Sequence, residues 1–151
     1  MMKAITWLAA APAIAIVLGT QSFAKEGWMT DLDKAIAEAG KENKSVLVEF
    51  TGSDWCPPCI AMRKNVFSKK EFTDAAAKKF VLVELDFPKK DKELAEKNQP
   101  LAEKYKIEGF PTVILLDSKG EEFTRFFASR YPTVEDFLAH LDDALEKKDM
   151  D

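Results

Sequence analysis

The chain has 151 residues, the size of one ordinary domain, with 22 Lys plus Arg against 26 Asp plus Glu and a formal net charge of -4. That mild acidity argues against a nucleic-acid groove or a polybasic membrane patch, so no nucleic-acid partner is expected. Two cysteines and one histidine furnish neither a disulfide scaffold nor a four-ligand zinc site, and no metal is expected.

Residues 1–24 read as a leader. Lys3 gives a positive start, an uncharged apolar run follows from Ala4 to Leu18, and Ser22-Phe23-Ala24 places small residues before a cut after Ala24. The run contains Pro12 and is short of the ~20 residues that span a bilayer. The expectation is a cleaved signal peptide over 1–24 and a single domain over 25–151. That domain would be secreted, into the periplasm if the cell is Gram-negative, where a Cys pair meets disulfide chemistry.

Leu32, Ala35, Ile36 and Ala39 recur at helical spacing, with Thr30 or Asp31 as cap and Gly40 as stop. Val46 to Phe50 is a compact apolar run, long enough for a buried strand, and Thr51-Gly52-Ser53-Asp54 ends it. A helix is predicted from about Cys59 to Val66. Another starts at Ser68, which forms a capping-box pattern with Glu71. Phe80 to Asp86 is the second strand. Lys89 to Tyr105 is a charged helical stretch broken near Pro100, read as a solvated face. Thr112–Leu116 and Glu122–Phe127 flank Ser118-Lys119-Gly120 as an antiparallel hairpin, and Thr133 caps a last helix carrying Phe137 and Leu141. Strands alternating with helices imply an α/β domain, its central sheet covered on both faces.

Trp55-Cys56-Pro57-Pro58-Cys59 lies between the first strand and the next helix. As a structural staple, Cys56–Cys59 would close so short a loop that it yields roughly 2 kcal/mol in the chain-entropy model. As a metal site it leaves half a tetrahedron empty, and His140 falls on a polar helix face where it reads as solvated. A redox role has a mechanism. A Cys at a helix N-terminus meets unpaired N–H groups and the helix dipole, which favour its thiolate and make Cys56 the nucleophile. Cys59, one turn on, is placed to resolve the mixed disulfide. Pro57 and Pro58 stiffen the first turn at little cost.

VLVEF leading into WCPPC, Gly109-Phe110-Pro111-Thr112 and the Asp117-Ser118-Lys119-Gly120 turn together resemble the thioredoxin family over roughly residues 28–147. The inserted Gly-Ser of TGSDWCPPC and the long charged stretch before Pro111 are similar to a secreted bacterial branch, the soluble domains of the periplasmic reducing pathway. The resemblance implies a thioredoxin fold, a mixed sheet of about four to five strands with helices on both faces. It implies that Pro111 is a cis-proline facing the disulfide, that Phe110 presents its backbone to substrate, and that Trp55 shapes the docking surface. It makes Glu49 a buried carboxylate that takes the proton of the resolving cysteine, although Glu49 stands one residue further from Cys56 than is usual in the family. A solvent-facing rim position is the alternative for Glu49.

Two departures stand out. The second strand, Val81-Leu82-Val83-Glu84, lacks the Lys that pairs with the buried acid in cytoplasmic thioredoxins, which puts that proton-transfer arrangement in doubt. Ala128-Ser129-Arg130-Tyr131 replaces a Gly that lines the substrate groove, and reads as a loop before the last helix. Asp54 reads as a solvated loop carboxylate.

The resulting expectation is a secreted thiol–disulfide oxidoreductase acting on protein disulfides and dithiols through Cys56 and Cys59, in the reducing direction by resemblance. An oxidase or isomerase, or a non-catalytic binding module of the same fold, are the alternatives. No cofactor is expected, since the dithiol carries the electrons. A membrane-bound electron donor or acceptor is the expected partner, and the protein is expected to be a monomer.

Overall fold

A computed structural model of the protein describes residues 25–151, so the leader read over 1–24 lies outside the described residues. Helix α1 (Leu32–Glu42) is capped by Asp31, whose carboxylate accepts the Lys34 N–H at 3.0 Å. It runs past the predicted stop at Gly40 and ends at Asn43, in the left-handed region at φ 53°. Gly40 instead lets the helix approach the hairpin turn, where an added Cβ would sit 3.3 Å from the Ser118 carbonyl oxygen.

Strand β1 (Ser45–Thr51) leads into helix α2 (Pro57–Met62), which widens into a π-turn over Arg63–Phe67. That turn changes the next helix start. The Ser68 N–H and hydroxyl both donate back to the Arg63 carbonyl, so Ser68 forms no capping box, and α3 (Lys70–Ala76) begins behind Lys69. Strand β2 (Phe80–Asp86) follows, then α4 (Lys92–Lys104). The predicted break at Pro100 does not occur. Pro100 is exposed within a continuous helix, where solvent can reach the carbonyl left unpaired one turn back. Strands β3 (Thr112–Leu116) and β4 (Glu122–Phe127) form the hairpin, a short 3₁₀ turn covers Ala128–Arg130, and α5 (Val134–Met150) closes the chain, capped by Thr133.

The sheet order is β2-β1-β3-β4, with β1 parallel to β2 and antiparallel to β3, and β3 antiparallel to β4. Alternation along each strand divides the core in two. Leu47, Leu82, Val113 and Leu115 pack toward Met62, Phe67, Phe72 and Phe137 on the side of α2, α3 and α5. Val46, Val48, Phe50 and Ile114 pack toward α1 and α4. Each such side chain, fully withdrawn from water, contributes about 1.5–3 kcal/mol. A strap ahead of α1 lies along β2: Met29 N–H donates to the Leu82 carbonyl at 2.8 Å and its own carbonyl accepts the Glu84 N–H at 2.9 Å. No helix among the described residues is long and apolar enough to cross a membrane.

Candidate active site

The end of β1 and the start of α2 hold the two cysteines, joined as a disulfide with Cα atoms 5.2 Å apart. Cys56 occupies the cap position in extended conformation, and its carbonyl accepts the Ile60 N–H at 3.0 Å. Because Pro57 and Pro58 have no N–H, Cys59 is the first helical residue with one to offer. Cys59 is 1% exposed and its sulfur receives the Gly52 N–H at 3.5 Å, while Cys56 is 4% exposed.

The loop between them and β1 is tied down on both sides. Ser53 donates its N–H to Asp86 at 3.0 Å and its hydroxyl to the other carboxylate oxygen, and the Asn98 amide holds the Asp86 carbonyl. Asp54 is the surface loop carboxylate the sequence suggests, and it is anchored as well. Its two oxygens accept the backbone N–H groups of Lys89 and Lys90, each at 2.9 Å, and these bonds hold its carboxyl below the usual aspartate range. Ser53 and Asp54 therefore join the loop after β1 to the end of β2 and the loop that follows it. Trp55 is the result: its Nε1–H donates to the Phe87 carbonyl at 2.7 Å, and its ring meets Phe110 edge-on at 5.7 Å. Gly52 lies under that indole, and a Cβ there would overlap it.

On the opposite rim the Phe110–Pro111 peptide bond is cis, and the Phe110 carbonyl oxygen lies 3.8 Å from Cys56 Sγ. The Thr112 hydroxyl donates to the Gly109 carbonyl at 2.6 Å, and the Ala128 N–H to the Pro111 carbonyl at 3.0 Å. The 3₁₀ turn Ala128–Arg130 thus replaces the loop predicted there. A cavity of about 480 Å³ runs beside this rim, lined by Lys106, Thr112, Phe127 and Arg130. Trp55 and Ile60, which flank the two cysteines in the chain, and Phe127, whose ring lies against Gly109, are exposed at 36%, 47% and 43%. Tyr131 turns away from the site and stacks on His140 at 4.0 Å. His140 is therefore half-buried against Tyr131 and Phe126 rather than solvated, and burial holds its imidazole below the ordinary value.

Glu49 is fully buried, so the rim position is excluded. It points to the sheet face covered by α2 and the π-turn. Its carboxylate pairs with the Lys25 ammonium, which also lies 3.5 Å from Glu84. Arg63 approaches Glu84 from the other side at 3.6 Å. Burial raises the Glu49 carboxyl, Lys25 opposes that rise and Glu84 adds to it. The ammonium beside Glu49 thus comes not from β2 but from the strap, where no spacing rule would look for it. Sequence reasoning missed Lys25 and Arg63. The one available signal was a charged pair, Glu49 and Glu84, at matching positions of two otherwise apolar strands.

The chain belongs to the thioredoxin-like domain family, whose model matches residues 32–145. It is 36% identical over 95 residues to the disulfide bond reductase DsbH of Chlamydia pneumoniae, which covers 61% of this chain and 57% of that protein. It is 34% identical over 101 residues to the thioredoxin-related protein DsbJ of the same organism, covering 65% of this chain and 29% of that protein. The solved structure of a DsbH oxidoreductase superimposes with a TM-score of 0.69 at 28% identity, over 86% of this chain and 92% of that one. The chain therefore spans 57% and 29% of the lengths of these two curated relatives. The four-stranded mixed sheet and its flanking helices are the thioredoxin fold.

Proposed function

We propose that this chain is a thiol–disulfide oxidoreductase that reduces disulfides of protein substrates outside the cytoplasm, residues 1–24 being a cleaved leader. The observation that carries the reading is the Cys56–Cys59 disulfide at the mouth of α2, with Cys59 sulfur deep and Cys56 sulfur against the Phe110 carbonyl.

In the reduced protein the Cys56 thiolate attacks one sulfur of a substrate disulfide. A bond forms between Cys56 and that sulfur, the substrate S–S bond breaks, and the other substrate sulfur leaves as a thiolate and takes a proton. The Cys59 thiol then yields its proton to Glu49, and its thiolate attacks Cys56 Sγ. The Cys56–Cys59 bond forms, the bond between Cys56 and the substrate sulfur breaks, and that sulfur departs as a thiolate that takes a proton. Two electrons pass from the protein to the substrate, with no cofactor. The backbone at Phe110 and Pro111 pairs with an extended substrate segment, and Trp55 forms the wall of the docking surface. Turnover then needs a dithiol donor to reduce Cys56–Cys59 again, and a membrane-bound partner fits that role.

The likeness to a protein named as a disulfide bond reductase supports the reducing direction. Equilibration of the protein against defined thiol buffers tests it. A potential near the ~-270 mV of thioredoxin is expected, whereas a value near the ~-120 mV of the strong oxidant DsbA overturns it in favour of disulfide donation.

A further inference from the structure

We propose that the cavity beside the Phe110–Pro111 rim selects substrates whose cysteine is flanked by an acidic side chain, with Arg130 and Lys106 as the groups that recognise it. The inference rests on the reading of Cys56–Cys59 as a reductant of protein disulfides, and it names the class of segment reduced.

Within Gly109–Thr112 the Gly109 carbonyl accepts the Thr112 hydroxyl and the Pro111 carbonyl accepts the Ala128 N–H. Among the described residues the Phe110 carbonyl meets only the Cys56 sulfur. A substrate segment pairing along this rim is therefore registered on Phe110, and the residues next to its cysteine lie between Trp55 and the cavity of about 480 Å³. The half-exposed ring of Phe127 offers the stem of a side chain entering that cavity an apolar contact.

Four charged side chains line the cavity, those of Lys106, Glu108, Arg125 and Arg130. Arg125 is already engaged. Its Nε and Nη2 donate to the two carboxylate oxygens of Glu122, and its Nη1 donates to the Tyr105 carbonyl at 2.8 Å. Glu122, and after it Glu108, strengthen that guanidinium's hold on its proton, so both nearby acids act on Arg125. Arg130 and Lys106 are exposed and have no ion-pair or hydrogen-bond partner among the described residues. Two unpaired cations thus stand beside the site in a chain whose formal net charge is -4. An acidic segment is repelled by the molecule as a whole and attracted at this place, which favours one orientation of approach.

Both cations spring from a fixed backbone. Arg130 belongs to the 3₁₀ turn, which is tied to Pro111 through Ala128 and closed by the Tyr131 N–H donating to the Ala128 carbonyl at 3.0 Å. Lys106 follows the carbonyl that Arg125 holds, and its own N–H donates to the Glu103 carbonyl at 3.1 Å. Little backbone ordering is then left to oppose binding.

The test gives the pre-reduced protein three disulfide peptides that differ only in the residues flanking one cysteine: glutamate, glutamine or phenylalanine. A neighbouring carboxylate slows thiol–disulfide exchange by itself, so each single-turnover rate is divided by the rate at which dithiothreitol reduces the same peptide. The glutamate peptide is expected to lead. Its advantage over the glutamine peptide is expected to fall about two- to tenfold in the Arg130→Gln, Lys106→Gln double variant. It is also expected to fall in the wild type at 1 M salt, where screening acts within about 3 Å. Arg130→Lys with Lys106→Arg keeps both charges and is expected to keep the advantage. So is Lys78→Gln, which removes an exposed cation ahead of β2 at the end of the sheet away from the disulfide. An advantage unchanged in the double variant, one that falls as far in Lys78→Gln, or a leading phenylalanine peptide overturns the inference. If all three peptides are reduced alike, the reductase reading survives and the inference fails. If none is reduced, the reductase reading fails and the inference falls with it.

Discussion

The sulfur of Cys56 lies 3.8 Å from the carbonyl oxygen of Phe110, which puts the proposed nucleophile and the backbone proposed to receive a substrate strand on facing rims of one site. Cys59 is the more deeply buried of the pair. The two cysteines are therefore expected to fail differently. Cys59→Ser should accumulate a mixed disulfide with a disulfide peptide, visible by mass spectrometry and released by dithiothreitol. Cys56→Ser should trap none and show no turnover. Trapping by Cys56→Ser instead would reverse the two roles.

Glu49→Gln is expected to slow the second step by about 10²- to 10⁴-fold at neutral pH, the usual scale for loss of a general base, and to leave formation of the mixed disulfide unchanged. Stability carries a separate signature. Burial raises the Glu49 carboxyl above the ordinary range, with Lys25 opposing and Glu84 reinforcing. The folded state thus holds this proton more tightly than the unfolded chain. Its contribution is complete below the unfolded value and is lost as pH rises through the folded one. Urea titrations from acid to neutral pH are expected to show the wild type losing stability relative to Glu49→Gln across that window. A constant difference between the two would contradict it.

Gly52→Ala places a Cβ into the Trp55 indole. The indole cannot yield without breaking its 2.7 Å bond to the Phe87 carbonyl, so the substitution is expected to cost about 1–3 kcal/mol, the range for overpacking. A changed Trp emission together with a raised KM and a nearly constant kcat would place the effect on docking. An unchanged emission spectrum would count against the contact.

Asp54 binds the Lys89 and Lys90 amides only as a carboxylate, and its carboxyl is held low by those bonds. Its contribution is therefore present above the unfolded value and disappears as pH falls through the folded one. The amide resonances of Lys89 and Lys90 are expected to titrate below the usual aspartate range, and to lose that titration in Asp54→Asn. Titration that persists in the variant would mean another group is responsible.

Phe137 is fully buried and meets Phe67, Phe72 and Phe126 with ring centres 5.2, 5.4 and 5.6 Å away. Phe137→Ala is expected to destabilise the fold by about 3–5 kcal/mol in urea unfolding, through lost burial and the cavity left behind. A cost below about 1 kcal/mol would show that the aromatic cluster collapses to fill the gap.

The elements of this chain follow from local signals. Apolar runs marked β1, β2 and β3, the WCPPC segment marked the entry to α2, and Thr133 marked the start of α5, each because it answers to neighbours within a few residues. The misplaced boundaries have separate causes. Gly40, Ser68 and Pro100 are assigned by sequence to turns and caps, yet the first packs against the hairpin, the second bonds back into a π-turn, and the third rides on an exposed helix face. At Gly40 the local propensity is worth under about 1 kcal/mol, less than the packing of the helix supplies.

By itself the sequence determined the cysteine pair, its position between strand and helix, the Phe110–Pro111 segment and a carboxylate within β1. Tertiary structure alone decided what surrounds that carboxylate. Lys25 stands 24 residues before Glu49, and Glu84 and Arg63 reach the same cluster from two further elements. Charge interactions depend on distance through space and on exclusion of water, neither of which chain spacing encodes. Only the packing of the strap, strand and π-turn over one face of the sheet brings two acids and two cations together.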